Sequence, residues 1–244
     1  MDFKGKHYNI EGSFNVRDLG GLPTVGGGQT MPGRFIRAGS LFGLTDAGRQ
    51  ALLDLGARCI LDLRSHLEVE QRPDPIMNDA AFDWHHIPMM DYYHSNLAAG
   101  VGISGYPETM EEMYIEILGR VPQVFAGIFK LFADPTHKCI LFHCTAGKDR
   151  TGAVAMILLS LAGVREDIIA KDYGRSAGLL PAFTPPKDAP KVPEYLITSP
   201  PKLATTVLKH LKENYGGTRQ YLIKAGTLPE DIDAAVKKLI APEI

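Results

Sequence analysis

The chain has 244 residues, of which 45% are hydrophobic and 22% are charged, so it holds enough apolar material for a sizeable core. Its formal net charge of -2 excludes the overall basic field with which proteins attract nucleic acid or anionic membranes. We therefore expect any anion that the protein binds to be recognised by a local site.

The first half of the chain indicates short strands and one helix, separated by glycines. The triplet Gly26-Gly27-Gly28 is typical of a hairpin turn. Residues 45–56 predict a short helix, with a capping threonine at its start and a glycine at its end. The apolar runs at 57–65 and, more weakly, at 82–89 are typical of strands.

The second half alternates helices with one further strand. Residues 106–119 and 121–134 carry apolar residues at helical spacing after an early proline. A buried strand at 138–143 leads through a short loop to an apolar helix at 150–163. This alternation predicts an α/β fold, in which helices flank a central mixed or parallel sheet. Binding sites in such sheets lie beyond the carboxyl ends of the strands.

The last part of the chain has a different composition. Residues 176–201 are rich in proline and show no clear period, which indicates a flap or a linker. Three short helices follow, with stops at Gly216-Gly217 and Gly226. We predict that residues 1–244 form a single domain, on which residues 202–244 pack.

The cysteines and the amino terminus bear on the compartment. Cys59, Cys139 and Cys144 are odd in number and lie in or beside apolar runs, which does not suit a disulfide framework. The amino terminus has no apolar signal-peptide region, and no apolar run approaches the ~20 residues that span a bilayer. These features predict a cytoplasmic protein without stable membrane insertion, while secretion without a recognisable signal peptide stays open.

The segment HCTAGKDRTG, residues 143–152, connects the last predicted strand to its helix. Cys144 and Arg150 stand in the pattern C-x5-R, and Gly147 allows the backbone between them to curl tightly. Several amides and the positive end of the helix dipole would then converge on one centre, which suits phosphate. The predicted phosphate-binding residues are Thr145, Ala146, Gly147, Lys148, Asp149, Arg150 and Thr151.

The same loop carries the groups for nucleophilic catalysis. Its positive field favours the thiolate of Cys144, which would attack the cradled phosphoryl group and form a phosphocysteine. The planar fork of Arg150 would bind two phosphate oxygens. Thr151 could donate its hydroxyl to the sulfur and assist its departure. We expect His143 to brace the loop through a hydrogen bond, because an ionised thiol needs no base.

Other anion loops fit less well. A Walker A loop requires Gly-Lys followed by Ser or Thr, whereas Asp149 follows Lys148 here. An arsenate reductase or a rhodanese-like sulfur carrier also has a cysteine on an anion loop, but the Gly-Lys-Asp-Arg-Thr-Gly run argues against both. The alternative function is a catalytically silent module that binds phosphorylated ligands. Such modules usually lack the cysteine or the arginine, and this chain has both.

The loop HCTAGKDRTG resembles the signature loop of the cysteine-dependent protein tyrosine phosphatase superfamily, and more narrowly that of the atypical bacterial tyrosine/lipid phosphatase family. Less specific similarities lie at residues 14–21, 33–41, 60–65 and 215–226. The resemblance implies the protein tyrosine phosphatase-like fold and no metal or organic cofactor. It also implies phosphotyrosine proteins as substrates, with phosphoserine, phosphothreonine and phosphoinositides as further ones. Inorganic phosphate would be the product, and we expect a monomer.

The general acid has two candidates. Trp84, the only tryptophan, is not followed by the Pro-Asp of a mobile acid loop. Asp149 lies within the phosphate loop, where a raised pKa would let it donate a proton to the leaving group. The resembling family also suggests this loop aspartate as the acid, and we favour it. Asp91, just after a predicted strand end, is the alternative.

Lys148 and the histidines complete the candidates. Lys148 is either a contact to a second phosphate, as the resemblance to lipid phosphatases suggests, or a solvated lysine that raises the local potential. His85 and His86 would point to opposite faces of a strand, and no carboxylate completes a ligand spacing with them or with His94. The sequence therefore predicts no metal site. The charged residues Arg17, Asp18, Asp62 and Arg64 could brace the phosphate loop from neighbouring elements, but we expect them to form buried ion pairs instead.

Overall fold

The computed structural model describes residues 5–91, 107–181 and 198–240. Most of the predicted proline-rich flap and His94 lie outside these residues. Ser176 belongs to a 3₁₀ turn, Arg175–Gly178, and a helix already begins at Pro201. The proline-rich segment is therefore bounded by regular structure on both sides.

A five-stranded sheet in the order β1-β2-β5-β3-β4 forms the centre of the fold. Strand β1 is antiparallel to β2, and the other neighbouring pairs are parallel. The carboxyl ends of four strands therefore meet at one edge, as the predicted mixed sheet requires. The strands are β1 (Arg17–Asp18), β2 (Phe35–Ala38), β3 (Cys59–Asp62), β4 (Asp83–His86) and β5 (Ile140–His143).

The helices lie on both sides of this sheet. Among the described residues, none is long and apolar enough to cross a membrane. They are α1 (Asp46–Asp54), α2 (His66–Gln71), α3 (Met110–Arg120), α4 (Pro122–Ala133), α5 (Arg150–Leu161), α6 (Glu166–Gly174), α7 (Pro201–Tyr215), α8 (Thr218–Lys224) and α9 (Pro229–Leu239).

Local sequence explains most helix ends. The Thr45 side chain accepts a hydrogen bond from the Gly48 amide and caps α1, as the sequence predicted. Gly216 ends α7 in the left-handed conformation. The sequence analysis missed α2, although Ser65 and Glu68 form a capping box at its start, which is a readable signal.

Strand alternation divides the core between the two faces of the sheet. Phe35, Leu61 and Phe142 face a large cluster that includes residues of α3 through α9. Ile36 and Leu141 face a smaller cluster that includes residues of α1. Since helices α7 to α9 contribute to the same large cluster as α5, the packing supports our proposal that the chain is one domain.

Strand β5 lies between β2 and β3, and both β5 and most of α5 are buried. Helix α5 is apolar around its circumference because core residues surround it. The connection between them, residues 144–149, thus leaves the centre of the sheet at its carboxyl edge. This is the place where α/β sheets hold their ligands.

Candidate active site

The connection from β5 to α5 brings the predicted loop residues together. Cys144 follows β5 directly and is buried, while Arg150 is the first residue of α5. Gly147 has a φ of +65°, and a Cβ there would lie 2.3 Å from the carbonyl oxygen of Ala38. Only glycine combines that backbone conformation with such a close approach, so the loop requires it at this position.

Two side chains from the amino-terminal segment hold the loop's carbonyl groups outward. The Asn15 side chain donates hydrogen bonds to the carbonyls of Ala146 and Gly147, both at 3.0 Å. Arg37 on β2 donates to the Gly147 carbonyl at 2.9 Å. The C=O and N–H of a trans peptide point in opposite directions, so these bonds aim the next amides toward the centre of the loop. The sequence predicted the amide nest but not this support.

Asp172 on α6 lies between two buried arginines. Its carboxylate is 2.7 Å from Arg17 Nε and 2.7 Å from Arg37 Nη1. Burial alone would raise the pKa of Asp172, but the two guanidinium groups outweigh it and lower the pKa to about 2. Arg17 therefore forms the predicted buried ion pair, and its partner is Asp172. Among the described residues Asp18 forms no ion pair, and it accepts hydrogen bonds from the amides of Gly20 and Gly33 and from the Tyr8 hydroxyl.

A second charged cluster lies directly behind the cysteine. His143 Nε2 is 3.1 Å from Asp74 and 3.8 Å from Asp62, and Arg64 pairs with both carboxylates. Burial would lower the pKa of His143, but Asp62 and Asp74 raise it to about 9. Two cations therefore balance two carboxylates in the interior. The His143 Nδ1 atom also lies 3.4 Å from the Cys144 carbonyl oxygen, which fits the bracing that the sequence predicted.

Glu68 on α2 is a site residue that the sequence analysis missed. Its carboxylate lies 2.5 Å from Arg150 Nη1 and 2.8 Å from Arg150 Nη2, and it accepts a hydrogen bond from Thr145. Burial would lower the pKa of Arg150, but Glu68 first, and Cys144 next, raise it above the usual range. The same Glu68 closes the capping box with Ser65, so the start of α2 fixes the position of the arginine partner.

Lys148 and Asp149 turn inward beside the loop. The Lys148 side chain is 1% exposed, and its amine donates to the Thr198 carbonyl at 2.7 Å. The solvated-lysine interpretation is therefore wrong. Asp149 is only partly exposed, and burial raises the pKa of its carboxyl although the Lys148 amine, 3.5 Å away, acts in the opposite direction. A carboxyl in this setting holds a proton more readily than one in water.

Comparison with known proteins places this site in a family. A model of the tyrosine phosphatase family matches residues 8–241. The chain belongs to the tyrosine phosphatase family. This confirms the resemblance that the loop at residues 143–152 indicated.

Two relatives show how far the likeness extends. A tyrosine-protein phosphatase of Nostoc commune is 39% identical over 155 residues, which cover 64% of this chain and 51% of that protein. The triple specificity protein phosphatase PtpB of Mycobacterium tuberculosis is 28% identical over 199 residues, which cover 70% of each chain. The matched part of this chain thus spans about half the length of the Nostoc relative.

The structure places the two candidate acids of this family member differently. Asp91 follows β4, is 39% exposed, and accepts a hydrogen bond from the His66 amide at 2.9 Å, at the start of α2. Asp149 lies within the phosphate loop next to Arg150.

Thr151 is buried, and its hydroxyl has no hydrogen-bond partner among residues 5–91, 107–181 and 198–240. That hydroxyl is therefore suited to the sulfur contact that the sequence suggested.

A cavity of about 390 Å³ adjoins the phosphate loop of this tyrosine phosphatase family member. Thr145 and Glu68 line it on the loop side, and Phe14 and Phe42 line it elsewhere. Phe42 is 47% exposed, and the Arg72 guanidinium lies 5.9 Å from its ring centre. The cavity therefore offers aromatic surface next to the anion loop.

Proposed function

We propose that the protein is a cysteine-dependent phosphatase that hydrolyses phosphotyrosine through a phosphocysteine intermediate. The observation that carries this proposal is the loop from Cys144 to Arg150, whose carbonyls are held outward by Asn15 and Arg37. A nest of this kind is arranged before the substrate arrives, so little reorganisation is needed when phosphate binds. Membership of the tyrosine phosphatase family supports the same reaction.

The first chemical step transfers the phosphoryl group to sulfur. The thiolate of Cys144 attacks phosphorus in line with the ester oxygen, so an S–P bond forms as the P–O bond breaks. Asp149 donates its proton to the departing oxygen, which leaves as tyrosine. The raised pKa of Asp149 supports this assignment, because a carboxyl must be protonated to act as an acid.

The second step releases phosphate. The Asp149 carboxylate takes a proton from water as the water oxygen attacks the phosphocysteine, and the S–P bond breaks. Sulfur leaves as a thiolate, to which the Thr151 hydroxyl donates a hydrogen bond. The enzyme returns to its starting state, with Asp149 protonated and inorganic phosphate in the loop.

Arg150 binds the phosphate, and Glu68 orients Arg150. Glu68 contacts the Nη1 and Nη2 atoms of Arg150, and the Nε side of the guanidinium can then bind phosphate oxygens. The carboxylate thus fixes the orientation of the arginine fork before substrate binds. Because Glu68 already orders the Arg150 side chain, no conformational entropy of this side chain is lost when the substrate binds, which favours the transition state.

The aromatic cavity favours phosphotyrosine among the possible substrates. Phe14 and Phe42 can contact a phenyl ring whose phosphate lies in the adjoining loop. Phosphoserine, phosphothreonine and phosphoinositides are further proposed substrates, and the printed name of one relative, a triple specificity protein phosphatase, supports more than one class of substrate. A lipid phosphate contact from Lys148 would require its amine to leave the Thr198 carbonyl. We also propose a cytoplasmic location, which the free thiols of the buried cysteines support, and a monomeric state.

Phosphate release by the wild type and by Cys144→Ser tests the proposal. The substrates are a phosphotyrosine peptide, a phosphoserine peptide and phosphoinositide vesicles, each with a metal chelator present. We expect fastest turnover of the phosphotyrosine peptide, and none by the serine variant. Acid quenching of the wild type during turnover should trap phosphate on Cys144. Phosphate binding without turnover of any substrate would favour the silent module.

The two acid candidates can be separated with matched amide variants. Asp149→Asn should lower kcat by about 10²–10³-fold with phosphoserine, whose alkoxide leaving group needs protonation most. Asp91→Asn should change kcat by less than about threefold. The opposite order would assign the acid to Asp91 and leave the cysteine mechanism intact.

A further inference from the structure

A second group of chemically active side chains lies at the amino-terminal edge of the sheet, at the opposite end from the phosphate loop. Cys59 and Asp83 are the first residues of β3 and β4 and lie side by side in the parallel register. His85 follows two residues later, so its side chain shares their face of the sheet. His137 comes from the connection between α4 and β5.

The distances between these side chains suit a common metal ion. The Cys59 sulfur and one ring nitrogen each of His85 and His137 lie within 4.8 Å of one another. The Asp83 carboxylate lies 3.0 Å from His85 Nε2 and 3.3 Å from His137 Nε2. Ligands around a tetrahedral zinc, with bonds of about 2.0–2.1 Å to nitrogen and oxygen, are separated by about 3.3 Å.

The hydrogen bonding of His85 points the same way. Its Nε2 atom is buried and has no hydrogen-bond partner in the described part of the chain. The Asp83 carboxylate lies 3.0 Å from this atom, within the distance of an ion pair. A cation bound between the imidazole and the carboxylate could use both as ligands at this separation.

We propose that Cys59, His85, His137 and Asp83 bind a zinc ion. One thiolate, two imidazoles and a carboxylate form a ligand set that zinc accepts. The four ligands come from three segments of the chain, because Asp83 and His85 both belong to β4. Binding releases the thiol proton of Cys59, because the thiolate is the ligand. The sequence predicted no metal site because no recognisable ligand spacing joined a carboxylate to His85, His86 or His94. His85 and His86 do lie on opposite faces of β4, but Cys59 and His137 are distant from His85 in sequence, while Asp83 lies two residues before it on the same face.

The position of the zinc site indicates that the ion would stabilise the fold and would not take part in catalysis. It joins β3, β4 and the connection that enters β5, the strand that leads to Cys144. Four strand residues span about 13 Å, so the ion would lie too far from the phosphate loop to contact a substrate there. The inference does not depend on the proposed phosphatase activity.

Cobalt provides the test, because a cobalt–thiolate bond gives a charge-transfer band and tetrahedral cobalt gives intense visible bands. All proteins carry Cys144→Ser, so that the loop thiol cannot contribute. The full chain is reduced, freed of metal with a chelator and titrated with Co²⁺ and then Zn²⁺. We expect one cobalt per chain, a thiolate band, displacement of cobalt by zinc, and a higher unfolding temperature with zinc.

Matched variants identify the ligands. Cys59→Ser should abolish the thiolate band, whereas Cys139→Ser should keep it, since Cys139 is equally buried but belongs to the core on the other face of the sheet. His137→Gln should weaken cobalt affinity at least tenfold, and His86→Gln should leave it unchanged.

Circular dichroism and thermal melts confirm that each variant is folded, and His137→Gln, at a partly exposed position, tests the site if the Cys59 variant fails to fold. A parent protein that binds no cobalt, or binds it without a thiolate band, would overturn the proposal. So would a band that survives Cys59→Ser or that disappears with Cys139→Ser.

Discussion

The ion pairs of Asp172 offer a sharp test of how the phosphate loop is supported. Asp172→Asn keeps the shape of the side chain but removes the charge between Arg17 and Arg37, which are 0% and 1% exposed. Arg37 donates to the carbonyl of Gly147, so the change acts on the loop from behind. We expect a loss of both stability and phosphatase activity.

The size of the stability loss follows from two arguments. The pKa of Asp172 falls from 3.8 to about 2, and each pKa unit corresponds to about 1.4 kcal/mol, so ionisation contributes about 2 kcal/mol. Removing one partner of a buried pair costs about 3–5 kcal/mol, because the other charge is left without compensation. Asparagine can still accept a hydrogen bond, so we expect the lower end, about 3 kcal/mol.

Urea unfolding, followed by circular dichroism and by the fluorescence of the only tryptophan, measures this loss. The matched control is Asp167→Asn on the same helix, which removes an exposed pair with Arg165 and should cost less than about 1 kcal/mol. Equal losses in the two variants would refute the reasoning.

The pH dependence adds a second criterion. Because the pKa of Asp172 is lower in the folded state, its ionisation stabilises the fold above about pH 3.8, and this contribution is lost as the pH falls toward 2. The difference between wild type and Asp172→Asn should therefore be constant from pH 7 to pH 5 and shrink below pH 3.8. A difference that grows on acidification would contradict the assignment.

Three further changes probe the site. Glu68→Gln keeps a capping box but loses the charge that orients Arg150, so kcat/KM should fall about tenfold in steady-state assays. Gly147→Ala places a Cβ 2.3 Å from the Ala38 oxygen, so kcat/KM should fall at least about 100-fold. His143 has its pKa raised to about 9, so the wild type should lose about 3 kcal/mol of stability as the pH rises from 6.5 past 9, and His143→Gln should lack this loss.

Each of these changes has a control of the same chemical type. Glu70→Gln alters an exposed carboxylate on α2 and should leave kcat/KM unchanged. Gly119→Ala meets no atom within 4 Å on the exposed face of α3 and should not affect activity. His210→Gln, on α7, should keep the alkaline loss of stability. If a control variant changed the measured quantity as much as its test variant, the effect would not be specific to the site.

Much of the site could be predicted because it is contiguous in sequence. The strand, the loop and the helix at residues 138–163 carry an apolar run, a glycine and a second apolar run, and the structure follows this order. Helix α2 was missed because its capping box was not weighed against the strand before it. Six residues are also too few for a helical period to be recognised.

The support of the loop could not be predicted, because its members are far apart in the chain. Asn15 contacts a carbonyl 131 residues away, and Arg17 pairs with Asp172 155 residues away. Composition and spacing carry no information on such contacts, which depend on strand order. The burial of Lys148 could not be predicted for the same reason, since the carbonyl that accepts its hydrogen bond belongs to Thr198.

The charges around the loop explain how it can be rigid without holding phosphate too tightly. Arg37 holds the loop backbone and Arg17 holds Asn15, but Asp172 offsets part of their charge, so the loop is oriented without a large excess of positive potential. In the proposed mechanism Arg150 binds the phosphate, and Glu68 already offsets its charge before phosphate arrives. A phosphate dianion must then share Arg150 with a carboxylate. In the proposed mechanism, this sharing weakens the binding of phosphate and so favours its release after each turnover.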